Sequence, residues 1–517
     1  MDAFKNMTYQ DFSKPEVFKA QQEAIDKIRA TFGKEYANII NGKESYSEKK
    51  TNSYNPGRKD ELLGIFQKAG AEQAEEAIQA ADAAFQTWKK VPAQKRAEYL
   101  FRAAEVVKRR RNEVNAWMIC EAGKSFLEAD ADTCEGIDFL EFYGREAIRY
   151  SQLQPVTPYP GETNEYFYIP LGVGLCIPPW NFPWAIMLGI SAAAIAAGNT
   201  VVLKPSSETP MMAWLFQDIM REVGLPAGVL NYFVASGAES GDYLVDHPKV
   251  RFISFTGSME IGLRINERAA KVHLDKGQIW IKRVIAEMGG KDCIVVDREA
   301  NIDAAVQGTV TAAFGFQGQK CSACSRVIVD APIYDEFVAK LVKKASEIKQ
   351  GDPYENFLAG PVISPKAYKD ILNYIEIGKA EGKLLLGGEV APGNGYYIQP
   401  TIIEVDRTAR IALEEIFGPV LAVVKADGFE DLIEVANSTI YGLTGAIYTE
   451  NQEKICKAKR DFHCGNLYIN RKCTGALVDV QPFGGFNMSG TDSKAGSKDY
   501  LMLFMQGKSV SEKNITV

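Results

Sequence analysis

Apolar residues recur at three- and four-residue intervals across segments 71–89 and 93–111, with charged positions on the opposite faces. That period predicts two amphipathic helices, and Pro92 marks the break between them. The first 150 residues read mainly as helices of this kind. From 154 to 169 the text turns to Pro, Thr, Tyr and Gly with short alternations, which predicts an extended segment or hairpin leaving the main body, as arms for subunit contact often do. Strand and helix signals then alternate. Segment 172–177 reads as a strand, 185–197 as a helix closed by Gly198-Asn199, and 200–204 as a strand. A helix at 211–223 ends at Gly224 and Pro226; strands follow at 229–234 and 251–255, and a helix at 258–271. Such alternation predicts a parallel sheet covered on both faces, with ligands gathering beyond the carboxyl ends of its strands. A second α/β stretch opens with strands at 284–287 and 293–297, a helix at 302–316 capped by Asn301 and a strand at 326–329, and continues to about Asp479. The tail, 501–510, alternates like an edge strand and is expected to pair with the arm, within the chain or across a dimer.

A chain of 517 residues exceeds one hydrophobic core, so two large domains are expected. The net charge of −7 and pI near 5.4 leave no basic footprint, which argues against nucleic acid or an anionic membrane as the main partner and leaves a small molecule. The longest strongly apolar stretch, 185–197, is too short to span a bilayer, and Met1-Asp2-Ala3-Phe4-Lys5 does not begin a signal peptide, so a cytoplasmic protein is expected. Nine irregularly spaced cysteines are expected to be reduced thiols.

Gln319-Lys320-Cys321-Ser322 lies in the turn after the 302–316 helix, where backbone amides can favour a thiolate and cradle an oxyanion. Alone, the motif better fits a buried thiol or, with Cys324, half of a zinc or redox pair. Zinc lacks a second Cys-x-x-Cys or a neighbouring histidine, and the three histidines stand in contexts unsuited to a thiol-protease base. A nucleophilic Cys321 therefore calls for a carboxylate base. Glu287, in Ala286-Glu287-Met288-Gly289-Gly290-Lys291, is the candidate, although an acid ending a strand is an ordinary feature. Asn181, pinned in Pro178-Pro179-Trp180-Asn181-Phe182-Pro183, could offer an amide to a transition-state oxyanion, or be a turn asparagine. Lys204 ends a strand where nucleotide ribose or phosphate binds, and Gly257-Ser258 open a helix at which free amides could hold a pyrophosphate.

Together these motifs resemble the aldehyde dehydrogenase superfamily over nearly the whole chain. The likeness is carried by Pro179-Trp180-Asn181-Phe182-Pro183, Lys204-Pro205-Ser206, Phe255-Thr256-Gly257-Ser258, Glu287-Met288-Gly289-Gly290-Lys291, Gly318-Gln319-Lys320-Cys321 and Glu414-Glu415-Ile416-Phe417-Gly418-Pro419-Val420. The resemblance implies an α/β, aldehyde dehydrogenase-like fold. It has a Rossmann-type NAD-binding domain (1–152 and 172–286), an α/β catalytic domain (287–480) and a small β oligomerisation arm (153–171 and 500–517). It further implies that Cys321 attacks an aldehyde, that Asn181 and the Cys321 backbone amide hold the oxyanion, and that Glu287 activates the water that hydrolyses the thioester. Lys204 and Glu415 would hold cofactor ribose, Phe417 would pack by the nicotinamide, and Gly257 and Ser258 would meet the pyrophosphate. Pro179 and Trp180 complete the expected cofactor contacts. Ser207 stands where many NAD-specific members carry an acid, so NAD is expected as main cofactor, with NADP used less efficiently. No metal is required.

Within the superfamily the chain is most similar to the 1-pyrroline-5-carboxylate dehydrogenases of proline and arginine breakdown, which oxidise L-glutamate γ-semialdehyde. Segments 317–326, 472–476 and 481–485 and Glu135-Gly136-Ile137-Asp138-Phe139 carry this likeness. The α-carboxylate of that substrate suits Ser322 and the backbone amides of Gly475 and Ala476, its ammonium suits Glu135, and its methylenes suit a sandwich of Phe182 and Phe483. The rivals are a succinate semialdehyde dehydrogenase, a catalytically silent structural protein and a cofactor-free thiol hydrolase. A homodimer or an assembly of dimers is expected.

Overall fold

The computed structural model describes residues 2–514, so Met1 and the last three positions of the expected arm, 515–517, lie outside the described residues. Two seven-stranded sheets organise the chain. In the first, the order is Arg283–Glu287, Val250–Thr256, Val173–Ile177, Thr200–Leu203, Leu230–Tyr232, Asn38–Ile40, Lys43–Ser45. The first five strands are parallel. Their carboxyl ends, at Glu287, Thr256, Ile177, Leu203 and Tyr232, therefore line one edge. The second sheet runs Gly382–Leu386, Thr401–Val405, Val420–Ala426, Arg326–Asp330, Cys293–Val296, Thr444–Tyr448, Asn466–Ile469, and only its first strand is antiparallel.

The central strands of both sheets are unbroken apolar runs, such as Cys293–Val296, buried on both faces because helices cover each side. The helix Ala185–Ala196 has no polar face and is buried nearly throughout, as a helix wedged inside a core must be. Ser125 caps the helix Phe126–Tyr150 by accepting from Glu128 N at 3.4 Å, and Asn301 caps Ile302–Phe314 by accepting from Ala304 N at 3.0 Å.

The first 150 residues are mainly helical, as expected, but five strands that the sequence pattern did not announce fall between Lys34 and Gln67. Two extend the first sheet, and Lys34–Tyr36, Arg58–Gln67 and Lys50–Asn55 form a three-stranded sheet of their own. The helix expected at 302–316 stops at Phe314, because Phe316 and Gln317 turn left-handed at φ 49° and 54°. The tail first makes a 3₁₀ turn, Tyr500–Phe504, and becomes a strand only at Met505. Met505–Lys513 then pairs antiparallel with Glu162–Pro170 of the same chain.

Candidate active site

The turn that carries Cys321 enters the second sheet at the amino end of Arg326–Asp330, and it faces the carboxyl edge of the first sheet. Its shape is set before the cysteine. After the left-handed pair Phe316-Gln317, the Gln319 side chain is fixed by Ile363 N, which donates to Oε1 at 2.9 Å, and by Pro361 O, which accepts from Nε2 at 3.4 Å. The Gln319 carbonyl accepts from Asn181 Nδ2 at 3.1 Å. Asn181, 3% exposed, is thereby tied to the backbone two residues before Cys321. An amide nitrogen carries two protons, so one stays available for an oxyanion.

A cavity of about 250 Å³ opens at Cys321. Its walls include Glu287, Glu135, Phe182, Ser322, Gly475, Ala476 and Phe483, so every residue expected to contact substrate meets the nucleophile and the candidate base in one space. Sequence reasoning passed over Lys320 and Glu128, which also line it and form an ion pair at 2.7 Å. Glu128 stands seven positions before Glu135, two turns along one helix face, and that spacing was the available signal.

Charge in the cavity is shaped by burial. The Cys321 thiol is pushed far up, first by desolvation and then by the carboxyls of Asp292, Glu287, Glu415 and Glu135. Desolvation lifts Glu287 to about 8, opposed by the Ser493 hydroxyl and the Lys494 charge. Glu135 is lifted to about 8 by burial and by Asp132 and Asp138. Glu128, although burial pushes it up, ends below the ordinary value because Lys320, Lys124 and Lys472 hold its anion.

Of the expected cofactor residues, Pro179, Trp180, Lys204, Ser207, Gly257 and Ser258 follow strands of the first sheet, whereas Glu415 and Phe417 precede Val420–Ala426 of the second. Lys204 is buried, donates to Pro205 O at 3.4 Å and is pushed down to about 8 by burial alone. A cation with so little compensation fits a site for hydroxyl groups such as those of a ribose. Glu415 Oε1 accepts from Gly290 N at 3.0 Å, and a Cβ on Gly289 would lie 2.1 Å from Glu415 Oε2, so the glycine is needed for the approach. Phe417 adopts φ 59° and sets its ring 5.5 Å from that of Trp180, edge-on, with Pro179 half-buried before it. Ser258 is exposed and caps Met259–Ala269, accepting from Ile261 N at 3.4 Å. Gly257 N already donates to Glu287 O at 3.1 Å, so that amide is occupied in this state. Ser207 is exposed just beyond the Lys204 strand. Taken together, the buried lysine, the glycine-dependent carboxylate and the aromatic pair fit a dinucleotide.

The sequence pattern of the aldehyde dehydrogenase family matches residues 43–510. A protein named 1-pyrroline-5-carboxylate dehydrogenase from Geobacillus thermodenitrificans is 54% identical over 511 residues, which cover 98% of this chain and 99% of that protein. Among solved structures, 1-pyrroline-5-carboxylate dehydrogenase from Thermus with bound NAD is 46% identical and superposes with a TM-score of 0.98, covering 99% of each chain. Betaine aldehyde dehydrogenase from Staphylococcus aureus in complex with NAD+ is 27% identical, with a TM-score of 0.89 over 96% of this chain and 98% of that one.

Proposed function

The chain belongs to the aldehyde dehydrogenase family, and we infer that it is an NAD-dependent enzyme that oxidises L-glutamate γ-semialdehyde, the open form of 1-pyrroline-5-carboxylate, to L-glutamate. The observation that carries this reading is the single cavity in which Cys321 and Glu287 share walls with Ser322, Gly475, Ala476 and Glu135.

Cys321 Sγ bonds to the aldehyde carbon, and its proton leaves to a neighbouring carboxylate. The new oxyanion accepts from the second Asn181 Nδ2 proton and from the Cys321 backbone amide. NAD, held by Lys204, Glu415, Phe417 and the Gly257-Ser258 turn, supplies the hydride acceptor when bound, and a thioester on Cys321 results. Glu287 takes a proton from water, the hydroxide bonds to the thioester carbon, and the carbon–sulfur bond breaks to release the acid. Ser322 and the amides of Gly475 and Ala476 receive the substrate α-carboxylate, and Glu135 its ammonium, which holds the aldehyde at sulfur. Phe182 and Phe483 enclose the methylenes. Burial, Asp132 and Asp138 raise Glu135 to about 8 against the opposing charges of Lys124 and Lys320, and a bound ammonium favours its ionised form further.

The enzyme works in the cytoplasm as a homodimer or an assembly of dimers. In support, no helix among the described residues is long and apolar enough to cross a membrane, and the cysteines are unpaired thiols. The ribbon of Glu162–Pro170 and Met505–Lys513 supplies the subunit contact. The test is NADH formation by purified protein from NAD with glutamate semialdehyde or succinate semialdehyde, beside Cys321→Ala. Preferential turnover of the first, abolished by the substitution, is expected. Preference for succinate semialdehyde would remove the substrate assignment, and no NADH from either would remove the activity.

A further inference from the structure

The strand that ends in Glu287 is clamped by a later loop. Met288 N donates to Ser489 O at 2.8 Å, Thr491 N to Ala286 O at 2.9 Å, and Ala286 N to Thr491 Oγ1 at 3.0 Å. The clamp lays segment 489–493 beside the carboxylate, and Ser493, only 4% exposed, donates its hydroxyl to Glu287 Oε1. A side chain at position 484 would prevent this, since a Cβ on Gly484 would lie 1.7 Å from Ser493 O and 2.9 Å from Glu287 Oε1. Glu287 Oε2 is buried with no partner among the described residues, on a residue that lines the cavity with Cys321. One oxygen is anchored and the other is left for a water molecule.

We propose that Ser493 is the positioning residue of the general base, its hydroxyl holding Glu287 Oε1 so that Oε2 stays free for the hydrolytic water. The proposal rests on the reading of Glu287 as base for thioester hydrolysis. In that step water gives its proton to Oε2, its oxygen bonds to the acyl carbon, and Cys321 sulfur departs, while Ser493 keeps its proton throughout. The charged and titratable groups that face Glu287 are Lys494 and Asp492 on the loop of Ser493, the Cys321 thiol, and the phenols of Tyr143 and Tyr500. Lys494 is already engaged, donating to Gly465 O at 2.8 Å, to Asn466 Oδ1 at 3.4 Å and to Gly484 O. It acts as a fixed positive neighbour, whereas the Ser493 hydroxyl bonds the carboxylate directly. A donor to the ionised form favours that form, so its removal makes the base harder to ionise. The same loop carries Phe483, whose backbone pairs with Ala495 at 2.9 and 2.7 Å, so the clamp links the substrate wall to the base.

The experiment compares wild type, Ser493→Ala, Ser493→Thr and Ser493→Cys as full-length protein with NAD and glutamate semialdehyde. It follows kcat against pH and the first turnover of NADH. With alanine, an initial burst near one NADH per active site is expected, then turnover roughly tenfold slower. The acidic limb of kcat should move up by about one pH unit while KM holds within about twofold. Threonine restores the wild-type profile. Cysteine, near in size but a weaker donor, gives an intermediate shift and decides the matter if the alanine variant does not fold. An unmoved pH limb, or a first turnover slowed as much as the steady state, overturns the role of Ser493. A wild type that forms no NADH overturns the functional reading instead.

Discussion

The Lys124 ammonium lies 2.9 Å from Asp132 Oδ2, and neither side chain has any exposed surface. The same ammonium sits 4.1 Å from the ring centre of Phe182 and 4.6 Å from that of Phe316, while Asp132 Oδ1 accepts from Ala185 N at 2.6 Å. One ion pair thus joins three things: the helix that carries Glu128 and Glu135, the loop that carries Asn181 and Phe182, and the turn that leads to Cys321. Removing one partner of such a pair strands the other. Lys124→Met is expected to cost about 3–5 kcal/mol of stability in urea unfolding, with part regained by adding Asp132→Asn. A loss under about 1 kcal/mol would mean that water reaches Asp132 and that the pair does not hold these elements together.

The Cys321 thiol should be slow to alkylate in enzyme without cofactor. Burial and the surrounding carboxyls push its ionisation far above the ordinary thiol value of 9.0, so the thiolate fraction keeps growing with pH across the alkaline range. Iodoacetamide inactivation is expected to accelerate without a plateau up to the limit of protein stability. A plateau near neutral pH would show a thiolate stabilised in the resting enzyme.

Glu121 illustrates the same conflict away from the cavity. It is 1% exposed, and its Oε1 accepts from Ser53 Oγ at 2.9 Å and Met211 N at 3.1 Å, at the start of the helix Pro210–Glu222. A helix start favours an anion by at most about 2 kcal/mol, yet burial prevails and the carboxyl is raised from 4.5 to about 8. The folded state therefore binds a proton that the unfolded state loses above pH 4.5, and stability falls as pH rises from there to about 8, then levels. Glu121→Gln cannot ionise. Its stability relative to wild type should grow across that window, by on the order of a few kcal/mol at the alkaline end, in denaturant titrations. A difference that is flat with pH would place the titration elsewhere.

Regular elements could be read from the chain because their signals are local. The all-apolar run Cys293–Val296 and the cap at Asn301 each depend on a few adjacent residues. The strands between Lys34 and Gln67 could not be read, since three of the five are three-residue pieces, and charged positions such as Lys34, Glu35, Lys43 and Glu44 hide any alternation. The left-handed Phe316 and Gln317 are not themselves glycines, and a helix carried on to 316 passes over the flanking Gly315 and Gly318, which do mark the turn. In the site, residues that belong to short motifs were visible, and the cavity brings Cys321, Glu287 and Ser322 together. Lys124, Asp132 and Ser493 were not. Ser493 bonds Glu287 across 206 positions, and Lys124 and Asp132, although neighbours in sequence, act through Phe182, Phe316 and Ala185, to which no local pattern ties them.

Ser322 is 8% exposed, follows the nucleophile and lines the cavity, and the proposed function assigns its hydroxyl to the substrate α-carboxylate. A hydrogen bond to a charged group contributes about 1.5–3 kcal/mol, so Ser322→Ala should lower kcat/KM for glutamate semialdehyde by roughly ten- to a hundredfold. Propanal, with no carboxylate, should lose little. An equal loss for both aldehydes would assign Ser322 to the shape of the nucleophile turn instead.

Cofactor choice turns on position 207. Ser207 is exposed beyond the strand that ends near Lys204, so the surface there carries a hydroxyl where an acid would repel the 2′-phosphate of NADP. The phosphate brings roughly two negative charges at neutral pH, while the NAD ribose offers a hydroxyl that either side chain can accept from. Ser207→Asp is therefore expected to lower kcat/KM with NADP by about tenfold or more and to leave NAD within about twofold, widening the NAD preference expected of the wild type. Added salt should narrow the gap, because repulsion between exposed charges is screened. The measurement is the ratio of kcat/KM for the two cofactors at low and high ionic strength. If Ser207→Asp lowers both cofactors equally, position 207 shapes the loop rather than reading the 2′ position, and the discrimination must come from the buried side of the ribose, where Lys204 stands.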